Sequence, residues 1–171
     1  MVTGGPRQQQ PGCKKEGAEV GPNPTDRGKP GTKRHLVTDA HGTPLGLTLS
    51  GANRHDSMML APTLDAVSGL RSSRRGRPRR KPSKLHADKA YDHSRCRSEC
   101  RARGIVPRIA RRGTESSTRL GRHRWVVKRT FAWLSRYRRL TVRYERRADI
   151  HLAFTTLACA LICLHQARRF C

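Results

Sequence analysis

Ser83-Lys84-Leu85-His86-Ala87-Asp88 is the stretch on which the reading of the fold turns. It is a short apolar run, follows a basic loop and ends on a carboxylate. Such a run reads as a buried strand with Asp88 at its end. The setting makes that carboxylate conspicuous. The chain has 171 residues, with 37 Lys and Arg against 12 Asp and Glu, for a formal net charge of +25. A carboxylate at a strand end, in a chain built to hold polyanions, points to a metal site for phosphodiester chemistry. The plainer alternative is a turn or cap residue, a common place for Asp.

Working outward, Arg34 to Thr38 reads as a strand, Asp39 to Gly42 as a turn and Pro44 to Ser50 as a second strand. Leu45, Leu47 and Leu49 alternate as in a half-buried strand, so the pair forms a hairpin. Asp56 or Ser57 caps a helix in which Pro62 must fall in the first turn. Downstream of Asp88, His93 to Arg103 reads as a helix closed by Gly104, with Asp92 as its cap. Ile105 to Ala110 is another strand. Arg122 to Leu140 is an amphipathic helix with Val126, Thr130, Trp133, Tyr137 and Leu140 along one stripe. The last helix, Asp149 to about Ala167, carries Ile150, Phe154, Leu157, Leu161 and Leu164 on one face and reads as a buried core helix. The order is an α/β pattern with a mixed sheet. Residues 1–32, rich in Gly, Pro, Gln and Lys, read as a disordered or loop segment, leaving 33–171 as the folded domain.

Composition narrows the partners. A sequence pI near 11.5 calls for a polyanion, and nucleic acid is the default because phosphate neutralisation releases counterions. Aromatic content of 5% argues against a single-strand stacking platform. The polar start shows no secretory signal. Leu152 to Leu164 is shorter than the ~20 apolar residues that span a bilayer, so no membrane partner is expected. Six cysteines include the i,i+4 pairs Cys96/Cys100 and Cys159/Cys163. No CxxC occurs; packed thiols in a reducing cytoplasm are the simpler reading, and zinc the alternative. The basic run from Arg71 to Lys81, with Arg74, Arg75, Arg77, Arg79, Arg80 and Lys81, is a DNA-backbone candidate or a solvated loop. Arg111, Arg112, Arg124 and Lys128 join it as DNA-binding candidates. Trp125 and Trp133 border an apolar stripe and read as core.

From about Gly21 onward the chain resembles a bacterial insertion-sequence transposase of the DDE superfamily, of the insertion-sequence-five type. The matching stretches are Gly21-Pro22-Asn23-Pro24-Thr25-Asp26-Arg27-Gly28-Lys29-Pro30-Gly31, Ser50-Gly51-Ala52-Asn53-Arg54-His55-Asp56 and His86-Ala87-Asp88-Lys89-Ala90-Tyr91-Asp92. They continue with Ala110-Arg111-Arg112-Gly113, His123-Arg124-Trp125-Val126-Val127 and Arg129-Thr130-Phe131-Ala132-Trp133-Leu134. The resemblance implies a ribonuclease-H-like mixed sheet flanked by helices. It also implies three carboxylates holding Mg²⁺ or Mn²⁺, and DNA cleavage and strand transfer at insertion-sequence ends. Asp88 matches the second carboxylate and is the expected catalytic and metal residue. The third would stand at 128 in the family's Val-Val-Glu-Arg-Thr pattern, where this chain has Lys128. The first belongs near residue 7, where this chain has Arg7.

The expectation is therefore a partial domain lacking an intact first strand, as from a late start or a shifted frame, and impaired in catalysis. Neither Asp92 nor Glu145 is a good replacement ligand. The expected partners are double-stranded DNA and either a second copy or an intact transposase, in the cytoplasm at the bacterial nucleoid. The alternatives are a non-catalytic DNA-binding remnant or regulator, a poorly folding fragment, and a basic RNA-binding protein.

Overall fold

The computed structural model describes residues 2–4, 12–13, 17–67, 81–113 and 117–168, with the backbone alone for 2–4 and 117–124. The hairpin forms where the alternating leucines place it, as β3 (Pro30–Thr38) and β4 (Pro44–Gly51), paired antiparallel with Leu36 opposite Leu47. Asp39 shapes the turn for the local reason expected of it. Its Oδ1 accepts the His41 and Thr43 amides, both at 2.8 Å. Gly42 is required there: its φ is +85°, and a Cβ would meet Thr130 Oγ1 at 2.9 Å.

The next strands are β5 (Lys84–Ala87) and β6 (Val106–Ile109), which pair parallel. Joining them to the hairpin is β1 (Val2–Gly4), antiparallel to β3 and parallel to β5. The sheet order is thus β4-β3-β1-β5-β6, and β2 (Gly21–Pro22) pairs with the start of β3. This corrects two expectations. The sheet has a first strand, short and central, and the segment 1–32 contributes strands as well as loop. A three-residue run flanked by Gly carries no periodicity of its own. The ladders offered by β3 and β5 on its two sides give it its conformation.

One face of the sheet is covered by α1 (Leu60–Asp65) and α2 (Ser94–Ala102). Val37, Leu60, Leu64, Leu85, Ala87, Tyr91, Cys96, Cys100 and Ile109 form the core there. The other face is covered by α3 (Ser117–Ser135), α4 (Arg138–Thr141) and α5 (Ala148–Ala167), with Leu36, Val127, Phe131, Leu134, Leu140, Cys159 and Ile162 packed between. Pro62 falls in the first turn of α1, where its missing N–H costs nothing. The thiols of Cys96, Cys100, Cys159 and Cys163 are free, and burial raises all four pKa values.

Four local expectations are corrected. His55, not Asp56 or Ser57, caps the 3-10 turn before α1, its Nδ1 accepting the Ser57 amide at 3.3 Å. The cap position of α2 is His93, and Asp92 is engaged elsewhere. The third helix stops at Ser135, so Tyr137 and Leu140 reach the core from a separate turn. The large apolar face of α5 points outward: Ile150, Phe154, Leu157, Leu161 and Leu164 are 38 to 59% exposed, while His151, Thr155, Ala158, Cys159 and Ile162 face inward.

Arg143 holds the N-terminal loop to this second layer. Fully buried, it donates to the carbonyls of Ala18 (2.7 Å), Glu19, Glu145 and Arg146 and to Thr32 Oγ1 (2.7 Å). A buried guanidinium is tolerated because most of its donors find an oxygen.

Candidate active site

Asp88 follows β5 in extended conformation and caps the 3-10 turn Lys89–Tyr91, its Oδ1 accepting the Ala90 amide at 2.8 Å. The bland reading of this residue is therefore realised, and the same geometry aims the carboxylate. Leu85 and Ala87 face the α1–α2 core. By strand alternation His86 and Asp88 take the opposite face, the one that α3 covers over β1 and β3.

Register identifies the backbone beside it. Val2 pairs with His86 and Thr3 with Ala87, so one further step sets Gly4 level with Asp88. Glycine brings no side-chain oxygen ligand. Arg7, the residue expected at the first acidic position, lies outside the described residues. The structure thus names a neighbour that sequence spacing did not, because register is set by pairing.

Tyr91 is fully buried against this site. Burial, with the charges of Asp56 and Asp88, pushes its hydroxyl well above the ordinary value, so it stays neutral. Asp56 was not foreseen here. It is paired with Lys33 at 3.0 Å and is committed to closing the start of β3 against the turn before α1. Asp92 is likewise engaged: it accepts from Arg97 at 2.7 Å and from the Arg112 amide at 2.9 Å. The Arg97 hydrogen bond, then the one from Arg112, holds its carboxyl below the usual range. Glu145 lies on the other layer, buried between Arg139 at 3.0 Å and His151 at 3.1 Å. Burial opposes its ionisation. Hydrogen bonds from its own amide and His151, with the Arg139 charge, still keep it low. Among the described residues, no three His, Cys, Asp or Glu side chains gather into a metal set.

The cationic candidates separate. Ala110 N bonds Ala87 O at 3.2 Å, so Arg111 and Arg112 leave β6 at the rim where Asp88 sits, and both are exposed. Arg54, His55 and His93 join that rim; the two imidazoles meet edge to face at 5.0 Å. Lys81 precedes β5 and belongs to the opposite rim, where its Nζ stands near Gly104. Lys128 is exposed on α3. Its neighbour Thr130 donates to Gly42 O at 2.8 Å, so this part of α3 grips the hairpin turn. That turn lies roughly four strand residues, about 13 Å, from the level of Asp88. Arg74, Arg75, Arg77, Arg79 and Arg80 lie outside the described residues, as does the side chain of Arg124. Trp133 packs on the core as expected, whereas Trp125 is half exposed and stacks on the Arg129 guanidinium, 4.3 Å from its ring.

Comparison with known proteins gives the family. Residues 6–163 match the family model described as the transposase DDE domain. A Burkholderia cepacia protein named as a transposase for insertion sequence element IS402 is 53% identical over 151 residues, covering 88% of this chain and 71% of that protein. A Brucella ovis protein named as a transposase for insertion sequence element IS6501 is 29% identical over 139 residues, covering 78% of this chain and 98% of that one. With a mixed α/β sheet, an aspartate at the end of a central strand and a family match across most of its length, the chain belongs to the DDE transposases of bacterial insertion sequences.

Proposed function

We propose that this chain is a transposase scaffold that grips double-stranded DNA at insertion-sequence ends, with impaired cleavage and strand transfer. The observation that carries this reading is the donor set around Asp88. Its level on β1 is Gly4, and the third acidic position of the family pattern is Lys128. DDE transposases work with a divalent ion, and Mg²⁺ or Mn²⁺ would need several carboxylate oxygens. One carboxylate, already accepting the Ala90 amide, is a poor fit. No catalytic step is therefore assigned to a metal here.

The DNA-binding part rests on Arg111 and Arg112 at the Asp88 rim and on the net charge of +25. The ribonuclease-H-like layout is supported by the mixed sheet with helices on both faces. In the cell the chain would work at the nucleoid, paired with itself or with an intact transposase that it dampens. The second reading, a purely DNA-binding regulator, draws on the same donor set.

The test is Mn²⁺-dependent nicking and strand transfer on labelled duplex DNA. The unaltered chain is expected to be inactive, with nicking no greater than that of Asp88→Ala. Nicking by the unaltered chain that is lost in Asp88→Ala would overturn the impairment.

A further inference from the structure

We propose that the outer face of α5 is the interface between two copies of this chain, packed antiparallel about a twofold axis at Leu157. This deepens the self-pairing in the reading above and rests on it. Ile150, Phe154, Leu157, Leu161 and Leu164 follow spacings of four, three, four and three, the seam of a paired helix rather than of a buried one. All five are 38 to 59% exposed, and Leu157, at the centre, is the most exposed. Ala153, Ala160 and Ala167 flank the seam, and all three are exposed. Small flanks of this kind let two helix axes approach to ~8 Å.

Charge selects the occupant. The chain holds 37 Lys and Arg, yet residues 148–167 contain none. A nucleic acid would find no phosphate contact on this face. A helix lying on lipid would carry cations along its polar side, whereas the other side of α5 is packed on the sheet: Thr43 donates to Gln166 at 2.5 Å, and the Cys163 thiol meets Pro44 O at 3.8 Å. A second copy offers the same apolar seam, and the ends choose its direction. Antiparallel pairing sets Ile150 against Leu164 and Leu157 against Leu157. It opposes the two helix dipoles, which parallel pairing would align. Because the interface is isologous, the contact closes at two copies.

The seam from Ile150 to Leu164 is about 21 Å long. That is small for an interface, so the measurement belongs at tens of micromolar chain. Light scattering on the full chain is expected to give about twice 19.3 kDa, and Leu157→Glu to return it to one copy with its circular dichroism unchanged. A single-copy mass for the unaltered chain overturns both the interface and self-pairing. Two copies that persist in Leu157→Glu overturn the interface and leave self-pairing standing. Oxidation provides an independent readout. Chains carrying Leu157→Cys are expected to cross-link through position 157, as mapped by mass spectrometry. Chains carrying Ile150→Cys should join only to Leu164→Cys chains. Self-linking of Ile150→Cys overturns the antiparallel pairing, and flotation of the unaltered chain with neutral phosphatidylcholine vesicles overturns the choice of occupant.

Discussion

The rim around Asp88 and the outer face of α5 are built from opposite materials. At the rim, the sheet ends in exposed Arg54, Lys89, Arg111 and Arg112, and the acidic groups Asp56 and Asp92 are each held by a cation or an amide. On α5 a 20-residue helix shows five large apolar side chains and no Lys or Arg. A chain of net charge +25 does not spread its charge evenly; it concentrates cations where a polyanion would dock and clears them from one helix. The two regions therefore answer to different partners, and each can be disturbed without the other.

The largest effect expected concerns the rim. Affinity for duplex DNA should fall by ~10³ or more between 50 and 200 mM salt if about six phosphates are contacted. Arg111→Ala with Arg112→Ala should lower the log–log slope by about 2. Filter binding across salt concentrations measures both, and a flat response in the unaltered chain would remove DNA from the rim.

Acid acts on both regions next. His35 lies behind the rim, its Nε2 against Ser50 Oγ at 2.8 Å, and His151 lies under α5. Both imidazoles are pushed down to about 4. Burial is the main cause for each. For His35, Asp56 opposes it and Lys33 and Arg54 assist; for His151, Arg34 assists and the Glu145 hydrogen bond opposes. Their folded values lie below the ordinary 6.5, so the unfolded chain takes up protons first. The stabilisation is complete above pH ~6.5 and is lost as the pH falls toward 4, by up to about 3 kcal/mol for each group. Thermal melts at pH 7, 5.5 and 4.5 should show the midpoint dropping throughout; a level midpoint contradicts the two buried neutral imidazoles.

The smallest effect lies between the regions, at the hairpin turn. Thr130→Val deletes the hydroxyl that donates to Gly42 O and should cost about 1–2 kcal/mol in urea denaturation. A neutral result would mean that α3 does not depend on this contact for its seat on the turn.

Much of the layout was legible before folding. Leu45, Leu47 and Leu49 announced the hairpin, Leu85 and Ala87 the central strand, and Gly104 the end of α2, because each depends on neighbours in sequence. β1 was not legible, since Val2–Gly4 is a strand only by pairing with β3 and β5. The role of Asp56 was hidden for a related reason: its partner Lys33 stands 23 residues away. The periodicity of α5 was read correctly and its direction wrongly. A 3.6-residue pattern locates an apolar stripe but not what it faces. Here His151 and Thr155 turn inward, where Glu145 meets the His151 Nδ1 and the Thr155 hydroxyl donates to the His151 carbonyl.

By itself the sequence determined the charge, the α/β order, the family and the identities of Asp88 and Lys128, all properties of residue type and local spacing. Only the tertiary structure decided that Gly4 lies level with Asp88, that Arg111 and Arg112 share its rim while Lys81 does not, and that the apolar stripe of α5 faces outward. Register and facing depend on which distant elements pair and pack, and no local pattern encodes that choice.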